Sequence, residues 1–291
     1  MTSPVSLLKA WKLRPKKQLG QNFLADPSIP RMIVNRAGIS SEEIVLEIGA
    51  GLGALTVPAA KAAKRVYAVE TDRGLIDLLQ TELLLYKADN VTVLTRDILK
   101  FDLADFVRQE GIDQPLVVIG NLPYHISSQI VVRLIEGRRW IDRAAMMFQK
   151  ELARRFMAKP GGRDYGRLSV MLAYCAEVRS LAEVRADLFF PKPKIDSEVI
   201  EVRFRKTIEH PASDEAFLFQ VVKAAFGQRR KTLRNALAGS ELHIAPEAAG
   251  LALDAAGIDA ARRAETLSVR EFVALSHALG EARSDLEALA G

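Results

Sequence analysis

The chain of 291 residues has a single cysteine, Cys175, which excludes an internal disulfide and any cysteine-based zinc site. Its four histidines, His125, His210, His243 and His277, show no ligand spacing, so no metal centre is expected. No apolar run approaches the roughly 20 residues needed to cross a bilayer. The opening MTSPVSLLKAWKLRPKK has too short an apolar stretch, and charges on the wrong side of it, for a secretory signal. These absences predict a protein of a reducing compartment, cytoplasmic and without a membrane partner. Acidic residues are missing from two places, before Asp26 and between Glu215 and Glu241. Five basic residues lie from Lys9 to Lys17, and a second run holds Lys223, Arg229, Arg230, Lys231 and Arg234. Such runs are usually solvated helix faces, but those faces carry interleaved acids; without them, phosphate contact weighs equally. The formal net charge of +5 and pI near 9.3 agree with a polyanionic partner.

Apolar residues make up 49% of the chain, enough for a proper core. Asp26-Pro27 reads as the start of a helix with Ile29, Met32 and Ile33 inward, ending at Gly38. Nearly continuous apolar strands are predicted at 44–48, 65–70, 91–95, 116–119 and 144–149, separated by helices, which is the pattern of a doubly wound parallel sheet. A helix from 150 to 157 leads to a mobile Pro160-Gly161-Gly162 loop. From Ser197 to Arg205, Ile200, Val202 and Phe204 alternate with Glu201, Arg203 and Arg205, predicting a half-exposed antiparallel strand. Beyond a boundary near His210-Pro211 the period changes to about 3.6, with Phe217, Val221, Ala225, Leu233, Leu237, Leu251, Phe272 and Leu275 inward, as in a small helical domain.

The chemistry centres on VVIGNLPYHISS, residues 117–128. A buried strand stops at Gly120 and a helix begins near Ser127. Asn121 offers a side-chain carbonyl. Pro123 forces Leu122 into an extended conformation that turns its carbonyl outward, and Tyr124 adds a flat ring. Two acceptors and a stacking face suit a planar ring with an exocyclic amine, and adenine fits; alone, the tetrapeptide is also an ordinary turn. Gly49-Ala50-Gly51-Leu52-Gly53 follows the first strand, where glycines let backbone approach a ligand. Its spacing is neither a dinucleotide fingerprint nor a P-loop. Glu70, ending the second strand, suits a pair of ribose hydroxyls, and Asp97, past the third, suits an adenine amine; either could equally be a strand-end acid or turn residue. All lie at C-terminal strand ends, where open α/β sheets bind ligands.

With these residues in view, the chain resembles the small-subunit ribosomal RNA adenine dimethyltransferases, the kasugamycin-resistance family, over essentially its whole length. The motifs are KKQLGQNFL, VLEIGAGLGALT, VETD, RDILKFD, NLPY, FFPKPKIDS and FGQRRKTLRNAL. The resemblance implies a Rossmann-like, S-adenosyl-L-methionine-dependent methyltransferase sheet over 26–208, a basic N-terminal segment and cofactor-closing loop over 1–25, and a helical RNA-binding domain over 209–291. It implies that the cofactor rests on Gly49 and Gly51, with its ribose on Glu70 and its adenine on Asp97 beside Ile98. Asn22 and Leu24 would close over it and Asn121 would approach its methionine end. Glu47 would orient the loop or the methionine amine, or act structurally.

Asn121, Leu122, Pro123 and Tyr124 are then the catalytic motif. The target base would stack on Tyr124 and be boxed in by Phe189, with Phe190 the lesser candidate and core packing the alternative for both. His125 is expected to fill the pocket wall. Arg229, Arg230, Lys231 and Arg234 would dock RNA. The implied partner is 16S rRNA within the small ribosomal subunit, and the expected form is a monomer. The implied product is N6,N6-dimethyladenosine at two adjacent adenosines in a loop near the RNA 3′ end, formed during subunit biogenesis. The rivals are a large-subunit (23S) rRNA enzyme of the erythromycin-resistance type and a non-catalytic ribosome-assembly factor.

Overall fold

A computed structural model describes residues 2–290, with side chains to residue 282. The elements in chain order are α1 (Pro4–Ala10), β1 (Phe23–Leu24), α2 (Ser28–Arg36), β2 (Ile44–Ile48), α3 (Thr56–Ala62), β3 (Arg65–Glu70), α4 (Arg73–Leu85) and β4 (Val91–Thr95). There follow α5 (Leu103–Gln109), β5 (Leu116–Asn121), α6 (Ser127–Glu136), β6 (Ile141–Gln149), α7 (Lys150–Phe156), α8 (Arg167–Cys175), β7 (Ala176–Val184), β8 (Phe189–Phe190) and β9 (Ser197–Phe204). The last four are α9 (Glu215–Gly227), α10 (Leu233–Ala238), α11 (Pro246–Ala255) and α12 (Val269–Ala290).

The chain divides into two compact units, residues 1–153 with 177–204, and residues 154–176 with 205–291. Against a single boundary near 210, the second unit begins at Arg205 and also takes in 154–176, because α8 packs against α9 and α12.

In the first unit a seven-stranded sheet runs β4-β3-β2-β5-β6-β9-β7. The strands from β4 to β6 pair in parallel and β9 runs antiparallel to β6. Strand order reverses between β2 and β5, the point where sheets of this kind open a crevice. The apolar strands are covered on one face where Val45, Val66, Val117 and Ile119 pack with Ile33, Val34, Leu55 and Ala59 from α2 and the α3 region, and on the other where Tyr67 meets Phe106 of α5 edge-on at 4.9 Å. Asp26 accepts from the Ser28 amide at 2.8 Å, and Gly38 at φ 62° ends the turn after α2. Asp72 and Asp102 cap α4 and α5 in the same way.

The alternation in 197–205 predicts one exposed face, but Glu201 is only 1% exposed. β9 lies inside the sheet because β7 covers its outer edge, and Glu201 is ion-paired with Arg179 and Arg203. β7, α8 and α1 are additions to the predicted elements. A two-residue ladder, β1 with β8, joins Phe23 to Phe190 and Leu24 to Phe189.

In the second unit Leu218, Val221, Ala225, Leu233, Leu237, Phe272 and Leu275 are buried. Phe226 stacks on Phe272 with centroids 5.9 Å apart. Leu251, predicted to face inward, is 71% exposed; Ala249, Ala252 and Leu253 supply the inner face of α11 instead.

Candidate active site

A cleft opens at the C-terminal ends of β2, β3 and β5, the place where open α/β sheets bind their ligands. Asn22, Leu24, Gly49, Gly51, Glu70, Asp97, Ile98, Asn121, Leu122, Pro123 and Tyr124 all border it. Eleven residues nominated from sequence therefore converge on one place, across a span of about a hundred positions.

The glycine loop leaves β2 with Gly49 at φ 77° and Gly51 at φ 56°, a region that residues with a Cβ rarely occupy. The Gly49 and Ala50 amides both donate to the Val69 carbonyl, at 2.9 and 3.1 Å, which pins the loop to the end of β3. Glu70 completes the fastening. One of its oxygens accepts from the Gly51 amide at 2.8 Å, the other from the Thr71 and Asp72 amides at 2.7 Å each. Burial raises its pKa and the three amides oppose that rise. The oxygen facing Gly51 keeps a lone-pair site for a hydroxyl. Asp97 uses one oxygen to cap the turn at Ile98–Lys100, accepting from Leu99 at 3.0 Å.

Glu47 is the unusual member of the cleft. It is 1% exposed, and its Oε2 meets no hydrogen-bond partner. Burial pushes its pKa up to about 7; the neighbouring Thr56 hydroxyl opposes the rise and the charge of Glu70 adds to it. A buried carboxylate oxygen left without a donor beside the cleft suits a cationic group. With the glycines of the loop and the spare lone-pair site on Glu70, the acceptor set suits a nucleoside that carries an amino acid, such as S-adenosyl-L-methionine.

The motif after β5 is held from two sides. The Asn121 side-chain amide donates to the Asn22 carbonyl at 2.9 Å, leaving its own carbonyl oxygen for a ligand. The Leu122 side chain is buried, and among the described residues no donor reaches its carbonyl. Pro123's carbonyl accepts from the Ile126 amide at 3.2 Å and the Ser127 hydroxyl at 3.0 Å, closing the turn into α6. The Tyr124 hydroxyl shares a 2.9 Å hydrogen bond with Ser197, and burial raises its pKa. His125 borders the cleft as a wall residue.

The N-terminal segment covers this motif. Lys16 Nζ and Gln21 Nε2 donate to the two oxygens of Asp72, at 2.6 and 2.8 Å, so that although burial acts to raise the Asp72 pKa, these donors hold it below the ordinary value. Sequence reasoning did not anticipate this latch; its only trace was the lysine and glutamine within the KKQLGQNFL motif.

Phe189 stands apart from the other nominated residues. It is 4% exposed within the core, alongside Leu24, Val184 and Val199, and does not border the cleft. Phe190 packs with Phe23 and Leu52 and does not border it either. Core packing accounts for both rings.

In the second unit, Arg229 donates to the Arg163 carbonyl at 2.8 Å and Arg234 to the Pro246 carbonyl at 3.1 Å. Arg230 and Lys231 are exposed, with no ion pair among the described residues. No cluster of metal-ligating side chains exists among the described residues.

Residues 12–280 match the sequence profile of a family described as Ribosomal RNA adenine dimethylase. A Ribosomal RNA small subunit methyltransferase A from Desulforapulum autotrophicum is 54% identical over 279 residues, covering 96% of this chain and 97% of the relative. Its namesake from Alkaliphilus metalliredigens is 40% identical over 93% and 94%. Among solved structures, a dimethyladenosine transferase from Plasmodium falciparum superposes with a TM-score of 0.74 at 26% identity, covering 90% and 98% of the two chains. The 23S rRNA methyltransferase ErmE gives 0.64 at 27%, over 89% and 99%. With its Rossmann-like sheet, its glycine loop and its Asn-Leu-Pro-Tyr turn at one cleft, the chain belongs to the ribosomal RNA adenine dimethylase family.

Proposed function

We propose that the chain transfers two methyl groups from S-adenosyl-L-methionine to N6 of adenosines in small-subunit ribosomal RNA, at adjacent positions in a loop near the 3′ end. The observation that carries this reading is the pair of free acceptors, the Asn121 side-chain oxygen and the Leu122 carbonyl, beside Tyr124 at the mouth of the cleft. The choice of small-subunit RNA rests on the relative at 54% identity.

Gly49 and Gly51 cradle the cofactor, Glu70 takes its ribose hydroxyls, and Asp97 with Ile98 takes its adenine. Asn22 and Leu24 close over it, and Glu47 faces its ammonium. When bound, this cofactor supplies an electrophilic methyl carbon on a sulfonium, so that a nitrogen–carbon bond forms as the carbon–sulfur bond breaks and sulfur keeps the electron pair. Tyr124 stacks on the target base, which must first leave its own stack, at least cost in a single-stranded loop. In the first transfer Asn121 and Leu122 accept hydrogen bonds from the two N6 hydrogens, and in the second one of them accepts from the single hydrogen left; either way the nitrogen is drawn toward tetrahedral geometry, freeing a lone pair otherwise delocalised into the ring. Positive charge then develops on nitrogen, and both acceptors strengthen with it. The proton left over departs along these acceptors to water, so no general base is required. Arg230 and Lys231, with Arg229 and Arg234, dock the RNA.

Every residue bordering the cleft lies between Leu19 and Ile130, so a monomer suffices, acting on small subunits in the cytoplasm.

The test offers labelled cofactor with small subunits, large subunits, naked RNA and DNA, followed by digestion to nucleosides. Dimethyladenosine from small subunits is the expected product; label in large subunits instead would identify the erythromycin-resistance type, and no label would identify an assembly factor.

A further inference from the structure

The N-terminal basic run does no work in the mechanism above, although it leads directly into the lip of the cleft. Helix α1 ends in a wrapped turn: the Trp11 amide donates to Leu7 at 3.0 Å, Lys12 to Lys9 at 3.2 Å and Leu13 to Leu8 at 2.8 Å. Lys12 takes the left-handed position, φ 53°, where glycine or asparagine is the ordinary occupant. A lysine there is strained, and its side chain is displayed outward. Leu7, Leu8 and Leu13 are anchored in a cluster with Phe23, Leu52, Leu75 and Leu78, and Lys16 is latched to Asp72. The turn between these anchors is therefore fixed on the body of the first unit. Trp11 on that turn is 39% exposed. Lys9, Lys12, Arg14 and Lys17 are exposed, and among the described residues none has an ion-pair partner. An indole face set among unpaired cations is the composition of a single-strand platform: the ring stacks any base and the cations neutralise the backbone. Leu19, which borders the cleft, is eight residues from Trp11, at most about 29 Å along the chain.

We propose that Trp11, with Lys9, Lys12, Arg14 and Lys17, is a landing platform for the single-stranded RNA that flanks the target adenosine. This rests on the reading of the chain as an rRNA adenine methyltransferase. An unpaired nucleotide of the same loop stacks on the indole while its phosphates lie along the four cations. The platform holds the strand so that the neighbouring adenosine can enter the cleft, and it contributes to substrate binding rather than to chemistry.

The experiment compares wild type, Trp11→Ala, Trp11→Phe and a fourfold variant with Lys9→Gln, Lys12→Gln, Arg14→Gln and Lys17→Gln. Melting temperature, cofactor Kd and methylation of small subunits at several salt concentrations are measured for each. For Trp11→Ala, KM for small subunits should rise by roughly 5- to 100-fold, with kcat and cofactor Kd unchanged; Trp11→Phe, which keeps a stacking face, should recover most of the loss. The fourfold variant should flatten the salt slope of binding by about 0.7 per cation removed. A photo-cross-linker at position 11 should join to rRNA. A KM for Trp11→Ala within twofold of wild type, an unchanged salt slope, or a cross-link to a ribosomal protein instead of RNA overturns the proposal while leaving the methyltransferase reading intact. Failure of wild type to label small subunits overturns both. The four cations make no intramolecular ion pair, so the charge variant decides the matter even if Trp11→Ala is poorly folded.

Discussion

The side-chain amide of Asn121 donates to the main-chain carbonyl of Asn22 at 2.9 Å, joining the end of β5 to a segment 99 positions away. This bond fixes which end of the carboxamide points into the cleft. It also ties the position of the Asn22 segment to that of the acceptor.

Replacing Asn121 should separate chemistry from cofactor binding. Asn121→Ala removes an acceptor whose bond strengthens as charge develops, so single-turnover transfer should fall by about 100- to 1000-fold. Cofactor affinity measured by calorimetry should fall much less, because the glycine loop and Glu70 are untouched. Wild-type turnover in this variant would remove Asn121 from the mechanism.

Glu47 should impose a pH dependence on stability. Its folded pKa is pushed up to about 7, against an ordinary value of 4.5. Between these values the native state keeps a proton that the unfolded chain releases. Stability therefore declines as pH rises through that window, by about 3 kcal/mol in all, and levels off above it. Glu47→Gln carries no such loss, so its melting temperature relative to wild type should climb from pH 5 to pH 8. A difference that stays constant with pH would show that Glu47 does not titrate there.

Gly120 is fixed by what surrounds it. A Cβ added there would lie 2.7 Å from the Ile48 carbonyl and 3.0 Å from Leu122 Cδ2. The first is backbone and cannot step aside, so Gly120→Ala must part β2 from β5 at the crevice. A loss of about 1–3 kcal/mol is expected, together with a fall in kcat because Asn121 is the next residue. Thermal melts and steady-state rates report both; a variant as stable and active as wild type would mean the strands yield without cost.

Arg143 anchors the opposite end of the sheet. Its guanidinium is bidentate to Glu43, at 2.6 and 2.9 Å, and donates to the Ala37 and Gly38 carbonyls at 3.0 and 2.8 Å. Arg143→Met takes the donor from two carbonyls and the bidentate partner from Glu43, which keeps only the Ser40 amide, a loss of about 1–3 kcal/mol readable by urea denaturation. Hydrogen bonding to Arg143 holds the Glu43 pKa below 4.5. Its contribution is present above that value and disappears as pH falls through the folded pKa, so wild type and variant should converge in acid.

Much of the site was legible because its residues sit where local pattern is strongest. Five apolar strands and the turns following them gave Gly49, Glu70, Asp97 and Asn121 their common address. Contacts between distant segments were not legible: no spacing reveals that Asn22 meets Asn121, or that Gln21 meets Asp72. The pairing of Phe189 with Leu24 was hidden for the same reason, since the two are remote in the chain. The burial of Glu201 was hidden because β7, AEVRSLAEV, has the alanine, glutamate and leucine of a helix and gives no strand signal. Leu251 was expected inside on hydrophobicity alone, but Ala249, Ala252 and Leu253 already fill that face.

The excursion of residues 154–176 out of the sheet and back has a consequence for shortened forms of the chain. A stop after Phe204 would spare every strand and the whole cleft, yet it would strip α8 of α9 and α12 and uncover Tyr174, whose ring meets Phe219 edge-on at 5.8 Å. The surviving fragment would carry an intact cleft on an adhesive molecule, and would be lost to aggregation before any activity could be assayed.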